Sequence, residues 1–244
     1  MREDLSSRQK RDTIGAMARR GELRPMAIRL LLVTAVVALV ASAAPAVRRR
    51  LLVPLQAGGL AKELAAGKLL VARRSLADPN FAQTVILLVE HSDDEGTVGL
   101  ILNRQTKIPV SRLSKEIEGA KGRSEPLYLG GPVQVEGVMA LVRSHTKLEE
   151  AKHVLADIYM ISNKTGLEKT ISSNSASNSL RLYLGYAGWD AGQLEWELGM
   201  DAWNILPASA AVVFDPHPET LWSRLVEQAE LQMARANWIL LAAR

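Results

Sequence analysis

Apolar runs of strand length recur through the later two-thirds of the chain, each bordered by turn-forming residues. They fall at 69–72, 84–90, 98–102, 138–142, 158–161, 180–184 and 210–214, and their β-branched content predicts strands. The acidic run Ser92-Asp93-Asp94-Glu95-Gly96 separates the second from the third. Segment 84–102 therefore reads as an antiparallel hairpin, with Gly96 free to take positive φ at its tip. Helical patterns lie between the strands. One spans 109–118, with Pro109 in the first turn. A second covers 165–171, where Thr165 and Glu168 have capping-box form. A third starts at Asp190, its carboxylate capping and Gln193 reaching back, and ends at Gly199. The last runs from 219 through 236, where Leu221, Leu225 and Leu231 form a docking stripe. Trp189, Trp196 and Trp203 read as large core residues. Without strict strand–helix alternation the expected class is α+β, a mostly antiparallel sheet with flanking helices.

The patterned region begins near Gly67 and extends to about residue 236 as a single domain. Residues 51–66 are rich in Leu, Ala and Gly, broken by Pro54 and Gly58-Gly59, and read as a linker. Residues 237–244 form an apolar tail, and 172–179 a Ser- and Asn-rich loop. Residues 1–50 carry 11 Lys and Arg against 4 Asp and Glu, a net +7, whereas residues 51–244 carry 19 against 22, a net −3. The overall +4 thus belongs to a basic tail, and a body of slight negative charge is not expected to attract DNA at long range.

Within that tail Arg19, Arg20, Arg24 and Arg29 precede an uncharged run at 30–47. The run is short for a spanning helix and passes through Ala41-Ser42-Ala43, a small-x-small sequence that suits signal cleavage. Arg48, Arg49 and Arg50 directly after it favour a retained anchor instead. The segment is expected either to export the domain or to tether it to a membrane, with a cytoplasmic location as the alternative.

The 244 residues contain no cysteine, which removes disulfides, thiolate metal sites and cysteine nucleophiles from consideration. No phosphate-binding loop, dinucleotide fingerprint, nucleophile elbow or His-Glu-x-x-His motif is present, and the four histidines are scattered. The densest ionisable set is Glu90-His91 with Asp93, Asp94 and Glu95, which lacks calcium-loop spacing and reads as a solvated hairpin tip. No metal ligand and no cofactor is predicted. Asn103-Arg104 after a strand offers an amide and a guanidinium fork to an anion or peptide. Asp78-Pro79-Asn80 before Phe81 predicts a turn on the same surface. Gly130-Gly131-Pro132 and Gly185-Tyr186-Ala187-Gly188-Trp189 permit close backbone approach to a ligand or to another strand.

Three segments together resemble the YqgE/AlgH family of bacterial proteins. The first begins Gly67-Lys68-Leu69-Leu70-Val71-Ala72 and continues through Asp78-Pro79-Asn80-Phe81 and Glu90-His91 to Gly99-Leu100-Ile101-Leu102-Asn103-Arg104. The second is Gly130-Gly131-Pro132-Val133-Gln134. The third is Gly185-Tyr186-Ala187-Gly188-Trp189 with Gly192-Gln193-Leu194-Glu195 and Trp203. The resemblance covers about 67–214 and leaves the tail outside. Val138-Met139-Ala140-Leu141-Val142 departs from the family's Gly-Phe-Val-Leu-His-like run, and Asp201 stands where Asn is common. The resemblance implies a coiled, largely antiparallel sheet and carries a label of transcriptional regulator.

The resulting expectation is a non-enzymatic binding or regulatory domain for a peptide, a protein or a small anionic ligand. Its face would be built from Asp78, Asn80, Phe81, Glu90, His91, Asn103, Arg104, Gly130, Gly131, Gly185, Gly188 and Trp189. A metal-assisted hydrolase using Glu90-His91 and a DNA-binding regulator are the alternatives. Direct nucleic-acid contact by the domain is disfavoured by its charge, and membrane association would run through 30–47.

Overall fold

The computed structural model describes residues 62–173 and 179–242. The apolar run 30–47 lies outside them. The described residues trace ten strands: β1 (Lys68–Ala72), β2 (Val85–Ser92), β3 (Gly96–Ile101), β4 (Gln105–Pro109), β5 (Pro126–Leu129), β6 (Val133–Arg143), β7 (Lys152–Leu155), β8 (Ile158–Ile161), β9 (Leu180–Trp189) and β10 (Trp203–Pro207). Four α-helices accompany them: α1 (Lys164–Ser173), α2 (Gln193–Gly199), α3 (Ala210–Val213) and α4 (Pro218–Ala242). The sheet order is β10-β1-β2-β3-β9-β6-β8-β7, with β4 paired to β5 and β5 to β9. Every pairing is antiparallel except β5 with β9. The α+β class and coiled, mostly antiparallel sheet are as the sequence predicts.

β9 joins the two halves of this sheet. Its first part pairs with β6 and β5, and its last residues, Ala187 to Trp189, pair with β3. A strand that changes partners must bend, and Gly185 supplies the bend at φ +66°. Gly130 and Gly131 cross at the same point, where an added Cβ on either would overlap the β9 backbone at Gly185 or Tyr186. The two glycine motifs therefore solve one packing problem: two main chains pass with no room for side chains between them.

Several local expectations are corrected. Segment 210–214 is helix α3 rather than a strand, because Ser209 caps it by accepting the Val212 N–H at 3.4 Å. After β4 only a 3-10 turn, Val110–Leu113, forms where a helix over 109–118 was expected, and Pro109 ends the strand. α1 is capped two residues earlier than Thr165: the Asn163 side-chain oxygen accepts the Gly166 N–H at 2.7 Å. α2 begins at Gln193, whose Oε1 does reach back to accept the Asp190 N–H at 3.1 Å. β9 continues past the expected 180–184 through Gly185 to Trp189. α4 runs on to Ala242.

The predicted apolar runs supply the core. On one face of the sheet Leu69, Val71, Leu87, Leu100 and Leu141 pack against Leu221, Leu225, Val226 and Ala229 of α4. On the other, Leu70, Ile86, Leu88 and Ile101 pack with Leu64, Trp189, Leu194, Leu198 and Trp203. A third cluster holds α1 through Leu167 and Ile171. The segment after α3 is tied down by Arg181 of β9, which donates to the carbonyls of Val213 (2.9 Å) and Asp215 and lies over the Tyr128 and Phe214 rings. Burial of the neighbouring Tyr183 hydroxyl drives its pKa upward.

Candidate functional site

A concave feature lies beside α2. Leu194 and Leu198, four residues apart, fix this helix on the core, which turns Trp196 and Met200 outward. Trp196 is 65% exposed and Met200 62%, large apolar surfaces left to solvent. They rim a cleft of about 360 Å³ lined also by Leu76, Asp78, Phe81, Glu197, Asp201 and Trp203. The expectation that Trp196 belongs to the core is thus corrected.

Below the rim the cleft is braced. Phe81 stacks on Trp189 with ring centroids 5.8 Å apart and meets Trp203 edge-on at 5.8 Å. Trp189 and Trp203 are themselves edge-to-face at 6.1 Å. Buried indoles need acceptors for their N–H groups. Glu197 serves both: its Oε2 accepts from Trp189 Nε1 at 3.0 Å and from Trp203 Nε1 at 2.8 Å, while its Oε1 accepts from Gln193 Nε2 at 3.1 Å. Arg73 pairs with Asp201 across the rim at 3.1 Å. The result is an apolar notch with Asp78, Glu197 and Asp201 around it.

The residues predicted from sequence divide into three places. Asp78, Phe81 and Trp189 build the cleft, and Asn80 is held in its turn by donating its N–H to Asp78 Oδ1 at 2.7 Å. Asn103 and Arg104 brace that loop from behind. Asn103 accepts the Val85 N–H at 2.8 Å and donates to the Gln83 carbonyl at 2.9 Å, and Arg104 donates to the Pro79 carbonyl at 3.3 Å. Burial pulls the Arg104 guanidinium below its ordinary range, with Asp78 opposing the shift. Gly130, Gly131 and Gly185 sit at the strand crossing, and Gly188 pairs with Val98 in the sheet.

Glu90 and His91 lie at the far end of β2. Glu90 pairs with Lys152 at 2.9 Å and lines a separate hollow with Met160 and Tyr186. His91 approaches Asp93 at 3.6 Å. Sequence reasoning missed Trp196, Glu197, Met200 and Asp201 as site residues. The signal was available in the helical period, since Leu194 and Leu198 claim the buried face and leave Trp196 on the opposite one.

Comparison with known proteins places the chain in a wider group. Residues 69–234 match the family model described as DUF179, AlgH-like. A UPF0301 protein of Chlorobaculum tepidum, CT0663, is 40% identical over 161 residues, 66% of this chain and 84% of the relative. The crystal structure of DIP2367 from Corynebacterium diphtheriae superposes with a TM-score of 0.57 at 26% identity, covering 68% of this chain and 87% of that one. The solution structure of AlgH from Pseudomonas aeruginosa, also UPF0301, gives a TM-score of 0.52 at 32% identity, covering 73% and 93%. With the family model spanning most of the chain and the same fold in both solved structures, the chain belongs to the AlgH-like, UPF0301 family.

Proposed function

We propose that this domain is a non-enzymatic binding module that captures a partner peptide or protein by an apolar side chain flanked by positive charge, seated in the cleft beside α2. The observation that carries the reading is the pair of outward Trp196 and Met200 side chains over a braced aromatic floor. Exposed Trp at the rim of a preformed notch is the usual composition of an interaction centre. The ionisable groups at the cleft are engaged in holding it together, Glu197 with two indoles and Asp201 with Arg73, which supports recognition over catalysis. With Asp78, Glu197 and Asp201 set against Arg73 the rim is net acidic, which favours a cationic peptide over a small anion.

Panning a random twelve-residue peptide library against the full-length protein tests this. The expected enrichment is for an aromatic or long aliphatic residue beside Lys or Arg, lost in Trp196→Ala. Enrichment unchanged by Trp196→Ala, or none above a blank surface, contradicts it.

A regulatory role would act through such protein contacts and not through reading DNA, a view supported by the net −3 of residues 51–244. Salt-sensitive DNA binding that persists when residues 1–50 are removed would refute it. The arginine-flanked run 30–47 supports export or membrane tethering of the domain. Among the described residues no helix is long and apolar enough to cross a membrane. Mass spectrometry of the native N-terminus after cell fractionation distinguishes cleavage, retention and a cytoplasmic location.

A further inference from the structure

We propose that His91, Asp93 and Glu195 form a binding site for one divalent transition-metal ion of the zinc class, separate from the peptide cleft. The three come from the end of β2, the hairpin tip and α2, and one donor atom from each lies within 4.8 Å of the other two. Ligands of a single ion with bonds of about 2.0–2.1 Å stand roughly 3–3.5 Å apart, so only a side-chain adjustment separates this arrangement from a bound one. Asp93, 94% exposed, is free to make it.

Two further observations point to a cation. Glu195 Oε2 is out of contact with solvent and has no hydrogen-bond partner, a costly state for a carboxylate oxygen that a positive ion would relieve. His91 Nδ1 lies 2.8 Å from the buried Thr97 hydroxyl. When Nδ1 donates to that oxygen, the Nε2 lone pair is left on the side of Asp93, 3.6 Å from its Oδ1, as a metal-binding imidazole requires. One imidazole nitrogen with two carboxylates suits zinc, cobalt, nickel or manganese, whereas calcium and magnesium prefer all-oxygen shells.

The backbone explains why the three meet. Gly96 has φ +95°, and a Cβ there would overlap the Trp189 carbonyl and crowd Asp190 and Ala191. The hairpin tip therefore lies flat on the connection leading into α2, which carries Glu195. The absence of ligand spacing along the chain follows, because the third ligand arrives from a distant segment. A bound ion would fasten the hairpin tip to the helix that bears Trp196 and Glu197.

Full-length protein stripped with chelator and titrated with zinc chloride, by calorimetry and by thermal melting, tests the site. The expected result is one saturable site with low-micromolar or tighter binding and a raised Tm, with no comparable rise from magnesium at equal concentration. His91→Ala and the isosteric Glu195→Gln should each weaken binding at least about tenfold. Asp94→Asn, which alters the neighbouring tip carboxylate, should bind as the parent does, and circular dichroism checks that each variant is folded. Absence of saturable binding, zinc affinity unchanged in folded Glu195→Gln, or an equal loss in Asp94→Asn overturns the assignment.

Discussion

Replacing Glu197 by Ala tests whether the cleft floor depends on a single carboxylate. The substitution removes the acceptor of two indole N–H groups, those of Trp189 and Trp203, both almost fully buried. A buried donor left unpaired costs about 1–3 kcal/mol, and a hydrogen bond to a charged group is at the upper end of the usual scale. Two such losses predict a destabilisation of roughly 3–5 kcal/mol, a large share of the stability of a typical domain. Glu197→Gln keeps an acceptor oxygen and should cost about 1 kcal/mol, that of replacing charged by neutral bonds. The assay is equilibrium urea unfolding followed by far-ultraviolet circular dichroism, since the substitution itself perturbs tryptophan emission. A second arm repeats Glu197→Ala in a Trp189→Phe background, where one of the two N–H groups is already gone. The cost there should fall by about 1.5–2.5 kcal/mol, the coupling of one pair. A loss below about 1 kcal/mol for Glu197→Ala, or an identical loss in both backgrounds, would refute the argument that the carboxylate holds the indoles.

Other consequences follow from the same geometry. Gly185→Ala places a Cβ 2.7–2.8 Å from the carbonyl oxygens of Gly131 and Val133 at φ +66°, so it should cost more than about 2 kcal/mol in urea unfolding; a loss well under 1 kcal/mol would mean the crossing relaxes freely. Arg181→Lys keeps the charge but lacks the fork that reaches two carbonyls and lies over two rings, and should cost about 2 kcal/mol in the same measurement. Asp157 is held below the usual carboxylate range first by hydrogen bonds from Arg143. Its stabilisation is complete above the unfolded value of about 3.9 and is lost as pH falls through the lower folded value. Calorimetric Tm should therefore decline less steeply below about pH 4 in Asp157→Asn than in the parent, and identical profiles would contradict the linkage.

Much of the fold was legible because strand periodicity and hairpin chemistry are local. The hairpin around Gly96 and the strand at Ile158–Ile161 follow directly from the pattern. What escaped is decided at a distance. Gln105–Pro109 and Trp203–Pro207 carry polar or mixed residues and become strands only by pairing with β5 and β1. Segment 210–214 has strand composition, but Ser209 caps it into a short helix that packs against the core. The candidate cleft was half legible. Asp78, Phe81 and Trp189 were singled out as polar or aromatic punctuation, and they do meet. Asn103, Arg104, Gly130, Gly131 and Gly185 attracted attention for the same reason, yet their groups serve the main chain and the strand crossing. His91 and Glu195 meet only because the hairpin folds onto the start of α2, a relation that residue spacing does not record.

The proposed function requires the cleft beside α2 to be a docking surface. The most direct measurement is side-chain NMR of the full-length protein titrated with a library-selected peptide, following tryptophan indole and methionine methyl signals. Saturable shifts of Trp196 and Met200, with the exposed Trp238 of α4 and Met160 of the separate hollow beside Glu90 unmoved, are the predicted result. Shifts concentrated at Trp238 or Met160 while Trp196 stays fixed would contradict it.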